Sequence, residues 1–419
     1  MLKNDYLNRV FKNSVWGKLA MMLGVVFFLY FGDAILSDWI PTYMQETLGG
    51  SLFMGLMMSF SSLVGFAADL VFPQLFRKVS ERRMVMLAIS SVFMTAGVIL
   101  WTTHFPLVSL FLLGMGIWGL YYEFLGFGLT SYVTKISSIT DRSGVWSVIG
   151  VVKSIAYCVG PLVGSWLFVW QGNLSVIFVY AGMALVAYVV WMAVGFKEKR
   201  PAEETVKDTE GLHILEEIKY WKALFEHVWP ILLVSYLFGL LDATFWTTGV
   251  VLSDSLVKEH WLGGLFLSAY MLPEVFIGFV VARLGINKGK KKMAERFLLL
   301  SGVFMVMLGI VNSAGVTVLM ALLIGMATAV AWPLVNAVYS DILARMGKEQ
   351  KHLTGMSSSM INLSYITGPV IAGLTAQLIG ERKTMMCVGL FVILMALVLL
   401  VVTPKKIRLP QSEIAEWKE

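Results

Sequence analysis

Cysteine is nearly absent: only Cys158 and Cys387 occur, far apart and each inside an apolar stretch. They read as small buried residues, which excludes a disulfide framework or a thiolate metal site. Charge is scarce as well. Asp, Glu, Lys and Arg make up 14% of the residues, against 58% that are apolar. A soluble domain of 419 residues cannot hide that much apolar surface, so the chain is expected to live in a bilayer. Also missing are a Gly-rich phosphate loop ending in Lys-Ser/Thr, a metal-spaced His/Cys cluster and a nucleophile motif. Those absences argue against ATP hydrolysis and against an integral-membrane enzyme, and no cofactor or metal is expected. The first apolar stretch is too long for a secretion signal and lacks its small-residue cleavage site.

What is there is a series of apolar stretches, at about 16–40, 50–72, 84–103, 106–132, 144–169 and 174–196. After a polar interval come six more, at about 229–252, 262–282, 297–312, 315–340, 354–379 and 384–403. Each can cross roughly 30 Å of hydrocarbon at about 1.5 Å per residue. The expected fold class is therefore an all-α, multi-pass integral membrane protein with twelve transmembrane helices. Lys and Arg crowd into the N-terminus, 77–83, 135–142, 197–222, 283–296, 345–351 and the C-terminal tail. The alternate loops carry few, so both termini are expected to be cytoplasmic, with the cell membrane as the location. The net charge of +6 then reads as topology rather than as nucleic-acid binding.

Residues 1–196 and 229–419 divide as two six-helix bundles joined by 197–228. The end of that connector spaces Leu212, Leu215, Ile218, Leu224, Phe225 and Val228 along one face. It fits either a helix lying on the cytoplasmic interface or an extension of the next spanning helix. The halves also repeat. Gly32 and Trp39 match Gly239 and Trp246 at one offset, and Gly50, Phe53, Gly65 and Arg83 match Gly263, Phe266, Gly278 and Arg296 at another. Gly114 and Gly144 match Gly325 and Gly355 at a third. Six helices repeated in one orientation predict two pseudo-symmetric bundles with the site between them.

The stretch 143–165 concentrates the unusual residues. Lys153, Tyr157, Gly160 and Gly164 recur at helical steps, so they share a face. A lysine at that depth costs about 2.5–3.5 kcal/mol on insertion scales and needs protein, water or a counter-charge. The ending Tyr157-x-x-Gly160-Pro161 returns as Tyr365-x-x-Gly368-Pro369. By depth, the partner expected for Lys153 is Glu123, either as a pair that only fixes packing or as one that protons or substrate break. Asp33, Asp242 and Glu274 are further intramembrane acids, each a candidate for coupling or substrate charge, or else a helix–helix hydrogen bond. Asp38 reads as near the interface and solvated. Tyr30, Trp118, Tyr121, Tyr122, Tyr157, Trp246, Trp332 and Tyr365 are candidates to line a cavity. Asn362 either bonds across helices or simply packs.

The loop after the second helix carries Gly65-x-x-x-Asp69, then Arg77-Lys78 and Arg82-Arg83. It resembles the signature loop Gly-x-x-x-Asp-Arg-x-Gly-Arg-Lys of the major facilitator superfamily of secondary transporters, with the spacing stretched and the second Gly missing. Gly160-Pro161-x-x-Gly164 is similar to the helix-five motif that the family associates with exporters and antiporters. Leu110 stands where the family's helix-four arginine would be. The resemblance implies a cytoplasmic gate in which Gly65, Asp69 and Arg77 meet the start of helix eleven near Gly355. Asp69 would act there on the helix dipole, while Ala282 leaves the second half without a matching acid.

The expected function is alternating-access transport of a small molecule, read as proton-coupled export of amphipathic compounds by a monomer. Runner-up readings are a proton-coupled nutrient or metabolite importer and a transport-dead receptor with the same fold. Buried acids point to protons, because a desolvated carboxylate can titrate near neutral pH while fixed charges cannot.

Overall fold

A computed structural model describes residues 14–75, 80–136, 142–193, 214–284, 289–346 and 350–403. The described residues form twelve long helices. In the first half they are α1 (Ser14–Leu48), α2 (Ser51–Leu75), α3 (Glu81–Thr102), α4 (Val108–Ile136), α5 (Arg142–Gln171) and α6 (Asn173–Ala193). In the second, α7 comprises Ile214–Thr244, a π-helical turn Phe245–Gly249 and Val250–Glu259. A 3₁₀ turn, Trp261–Leu265, leads into α8 (Phe266–Leu284), followed by α9 (Lys290–Ile310), α10 (Ala314–Met346), α11 (Gln350–Ile379) and α12 (Glu381–Val402).

Ten of these helices are long and apolar enough to cross a membrane. Helix α11 is more polar, with Ser357, Ser358, Ser359, Asn362, Ser364 and Thr367 within it. Such a helix belongs beside protein or water rather than lipid. The stretch 214–228 is helical without a break into 229–244, so the extension reading of the connector's end holds here and a separate interface helix does not. Residues 197–213, the rest of the connector, lie outside the described residues.

Two six-helix bundles pack in the same pattern. In the first, α1 lies on α5 and α6, and α4 lies on α2 and α3; in the second, α7 lies on α11, and α10 on α8 and α9. One glycine alone separates the fifth from the sixth helix of each half, Gly172 at φ 73° and Gly380 at φ 84°. A left-handed turn that tight strains any side chain, which is why glycine stands at both places. The bundles meet through α2 against α11 and α5 against α8, the two pairings that the pseudo-symmetry interchanges.

The structure corrects the internal register. A methyl group on Gly32 would come within 3.0 Å of Met183 on α6, whereas one on Gly239 would overlap Ser364 on α11. Those two glycines face different neighbours and are not counterparts. Gly160 instead closes on Ala34, and Gly368 on Ala243, where an added carbon would come within 2.9 Å. Ala34 thus corresponds to Ala243, and Asp33 to Asp242. In the same way Gly119, not Gly114, matches Gly325: both press on a backbone carbonyl of the second helix of their half, at Ser61 and Tyr270. Small residues recur so often in membrane helices that their spacing alone allows several registers.

Candidate functional site

The first carboxylate of the site is set by α1. That helix runs on to Leu48, well past the expected end, so Asp33 sits near its middle rather than close to one membrane face. Its side chain is fully buried. Trp118 Nε1 donates to Oδ1 at 2.6 Å, and the hydroxyls of Tyr122 (2.8 Å) and Tyr157 both donate to Oδ2. Donors from α4 and α5 therefore converge on one acid of α1. Glycines let them approach: Gly160 and Gly164 remove the side chains that would hold α5 away from Ala34 and Asp38.

The second half builds a matching couple. Asp242 accepts from Tyr270 of α8 at 2.8 Å and from Tyr365 of α11. Tyr157 and Tyr365 are the residues three before each Gly-Pro, so the repeated ending seen in sequence delivers the same donor to the same acid in each half. The π-helical turn begins three residues after Asp242. It inserts one extra residue per turn and re-aims Trp246 at Tyr157 across the bundle interface, edge to face at 5.3 Å. Thr244, Thr247 and Thr248 occupy carbonyls one turn back with their own hydroxyls, which eases the widened backbone.

Lys153 is placed differently from expectation. Its ammonium lies over the rings of Tyr30 (5.5 Å) and Tyr157 (5.6 Å), and its side chain is exposed. Among the described residues it forms no ion pair with Glu123. Equal depth did not make them neighbours, because α4 leans on α2 and α3 while α5 leans on α1. Glu123 lies against Gly65, where an added carbon would come within 3.0 Å of its Oε1. Glu274 accepts instead from Ser154, the residue after Lys153, at 3.2 Å across the bundle interface.

The other candidates divide. Tyr30, Tyr122, Tyr157, Trp246 and Tyr365 surround the acids just described. Tyr121 does not line a cavity: it is fully buried in the first bundle's core, beside Tyr122 at 5.0 Å between centroids. Trp332 packs against Phe238 within the second bundle, 5.9 Å between rings. Asn362 is half-buried on α11. Of the expected cytoplasmic gate only Gly65 is fully described; the side chain of Asp69, the surroundings of Gly355 and all of Arg77 lie outside the described residues.

Sequence reasoning missed the closure at the opposite end, where the turns 49–50, 172, 260 and 380 lie. There Thr42 donates to Asp254, Gln45 to Glu381 (3.0 Å), and the Leu52 amide to Gln377 (3.1 Å). Ser59 donates to the carbonyl of Ile366 at 2.5 Å, and Cys158 meets that of Ser268 at 3.7 Å. A side chain on Gly55 would overlap the carbonyl oxygen of Pro369, and one on Gly373 that of Ser51. Asp38, expected in water, is 4% exposed and accepts from Ser165 at 3.0 Å. Among the described residues, the hydrogen bonds between bundles run from this end to mid-depth. Valine at Gly55 or Gly373 is expected to force this seam apart. With Cys387 replaced by alanine, labelling of Cys158 by a membrane-impermeant maleimide should then rise about tenfold or more; unchanged labelling would mean the seam tolerates the extra bulk.

Residues 241–419 match a family model described as Major Facilitator Superfamily. Multidrug resistance protein 2 of Bacillus subtilis is 22% identical over 367 residues, covering 85% of this chain and 88% of its own. A multi-drug resistance efflux pump PmrA homolog of Lactococcus lactis is 24% identical over 383 residues, covering 88% and 90%. The fold is similar to those of the nucleoside transporter NupG (TM-score 0.64, 15% identity, 92% of this chain and 100% of that one) and the E. coli fucose:proton symporter FucP (TM-score 0.61, 13% identity, 93% and 98%). These two structures, and that of the human organic anion transporter MFSD10 (TM-score 0.58, 19% identity, 93% and 100%), are all titled as transporters. Two equivalent six-helix halves meeting at a polar mid-depth seam accord with the family match, which covers residues 241–419.

Proposed function

We propose that the protein exports amphipathic small molecules in exchange for protons, as a monomer whose two bundles rock about the seam. The observation that carries this reading is the matched pair of acids, Asp33 with Tyr157 and Asp242 with Tyr365, one in each bundle. A carboxylate held by phenol donors at mid-depth can take up or release a proton as water access changes, and tyrosine hydroxyls reorient when it does. Ser154 and Glu274 bridge the bundles beside them, so a change of charge there is felt at the seam.

With both termini in the cytoplasm, the end joined by these contacts is the outer one. The residues expected at the cytoplasmic gate, Gly65, Asp69, Arg77 and Gly355, would then close in the opposite state. Export is supported by the aromatic surroundings of the acids, by the helix-five Gly-Pro and by what the two curated relatives are named for.

The test is transport in vesicles of known orientation. In inverted vesicles acidified inside, a fluorescent amphipathic compound is expected to accumulate several-fold, and an uncoupler should release it. Accumulation in right-side-out vesicles under an inward proton gradient would replace export with import. No gradient-driven movement of any compound in either vesicle would favour the receptor reading.

A further inference from the structure

The seam contains one group that the coupling scheme does not use. Lys153 projects from α5 toward the bundle interface, with its ammonium over the faces of Tyr30 and Tyr157. Three acids stand around it: Tyr157 donates to Asp33 of α1, its ring meets that of Trp246, four residues after Asp242 on α7, and Ser154, next to Lys153, donates to Glu274 of α8. None of the three is in ion-pair contact with it among the described residues. The oxygens of Asp33 and Asp242 already hold their aromatic and phenolic donors, and Glu274 holds Ser154. The ammonium is thus kept by ring faces and by the field of three surrounding acids, not by a salt bridge.

Ring faces within about 6 Å, backed by carboxylates that do not touch the charge, are how proteins recognise a bulky organic cation. A lysine ammonium is a poor occupant of such a place. It is compact and strongly hydrated, and with its side chain still exposed it covers little of either ring face. A quaternary or delocalised cation has no donors to lose and covers more of both rings. The lysine stem is flexible and can withdraw as such a cation enters.

We propose that Lys153 is a tethered competitor, whose ammonium occupies an organic-cation subsite formed by Tyr30, Tyr157 and the acids of α1, α7 and α8. This rests on the transporter reading for the location of the site, but not on proton coupling or on direction. The lysine sets a threshold for entry. A small hydrated cation cannot displace it, whereas a large aromatic one can. It also prevents the carboxylates from being left without any positive charge when the site is empty, the costly state for buried acids.

The experiment is equilibrium binding to purified full-length protein in detergent, with no gradient, read by quenching of intrinsic tryptophan fluorescence. The probes are tetraphenylphosphonium, its anionic analogue tetraphenylborate and a neutral triphenyl compound as the partition control. Lys153→Met is expected to tighten tetraphenylphosphonium binding about tenfold over the parent chain, with the neutral probe unchanged. Lys153→Arg, which keeps a charge, should not tighten it. In the parent background, Tyr30→Leu should weaken phosphonium binding. Thermal unfolding of each variant establishes that it is folded, and Lys153→Gln replaces Lys153→Met if the latter is not. Unchanged or weaker phosphonium binding in the folded variant overturns the proposal. So does tetraphenylborate binding that vanishes with the lysine, since Lys153 would then be a ligand for anions. Loss of gradient-driven transport with the phosphonium result intact would count against proton-coupled export alone.

Discussion

Replacing Asp33 by asparagine is expected to reduce gradient-driven transport to background while the protein stays folded. The substitution changes the titratable group and almost nothing else. Trp118 offers only a donor, so the amide oxygen must face it, at the place Oδ1 now holds. The amide nitrogen then meets the hydroxyls of Tyr122 and Tyr157, which can turn and accept. Packing and hydrogen bonding survive, and the proton site does not. Exchange of labelled for unlabelled substrate across the membrane, which needs rocking but no net proton, should persist within about tenfold. Asp242→Asn should behave alike, because Tyr270 and Tyr365 can adjust in the same way. Full pH-driven accumulation in either variant would remove that acid from the coupling scheme, and loss of exchange as well would assign it to the rocking motion or to substrate binding.

A second large effect is expected far from the seam, at Glu295. This residue is fully buried on α9 and pairs with Lys291 (2.9 Å) and Lys292 (3.1 Å). Thr403, just past α12, donates to the same carboxylate at 3.1 Å and accepts from Lys291 at 2.5 Å. Lys292 also reaches the carbonyls of Leu399 and Leu400 in the last turn of α12. The cluster fastens the last helix to α9. Glu295→Leu takes the carboxylate away from two lysines at a buried site, a loss that costs roughly 3–5 kcal/mol. Thermal unfolding in detergent should show a large drop in midpoint. Lys291→Met combined with Glu295→Leu should recover much of it, because the remaining Lys292 is more exposed and still caps α12. A midpoint within a degree of the parent for Glu295→Leu alone would mean the pair contributes nothing net.

Some of the wrong expectations share one cause. Depth along a helix can be counted from sequence, but the direction a side chain takes around the bundle cannot. Glu123 and Lys153 were matched by depth and are separated by direction. Tyr121 and Tyr122 are adjacent in sequence, yet one is core and the other holds Asp33. Asp38 looked solvated because its helix was expected to end near residue 40, whereas α1 continues to Leu48 and carries the acid into contact with α5.

What the sequence by itself determined is the solvent, the helices and the duplication. Long apolar stretches have one stable form in hydrocarbon, because only a helix satisfies its backbone within the segment, and a repeated Gly-Pro ending marks a repeated unit. The rarity of charge in these stretches also singled out Asp33, Lys153, Asp242 and Glu274, since each must have a reason to be there. Only the tertiary structure decided who partners whom. It matched Asp33 to Asp242, gave each acid its tyrosine, turned Lys153 onto ring faces and closed the bundles at one end. Those choices depend on close approach between helices far apart in sequence, where a glycine opposite an alanine fixes the register and no pattern along a single helix records it.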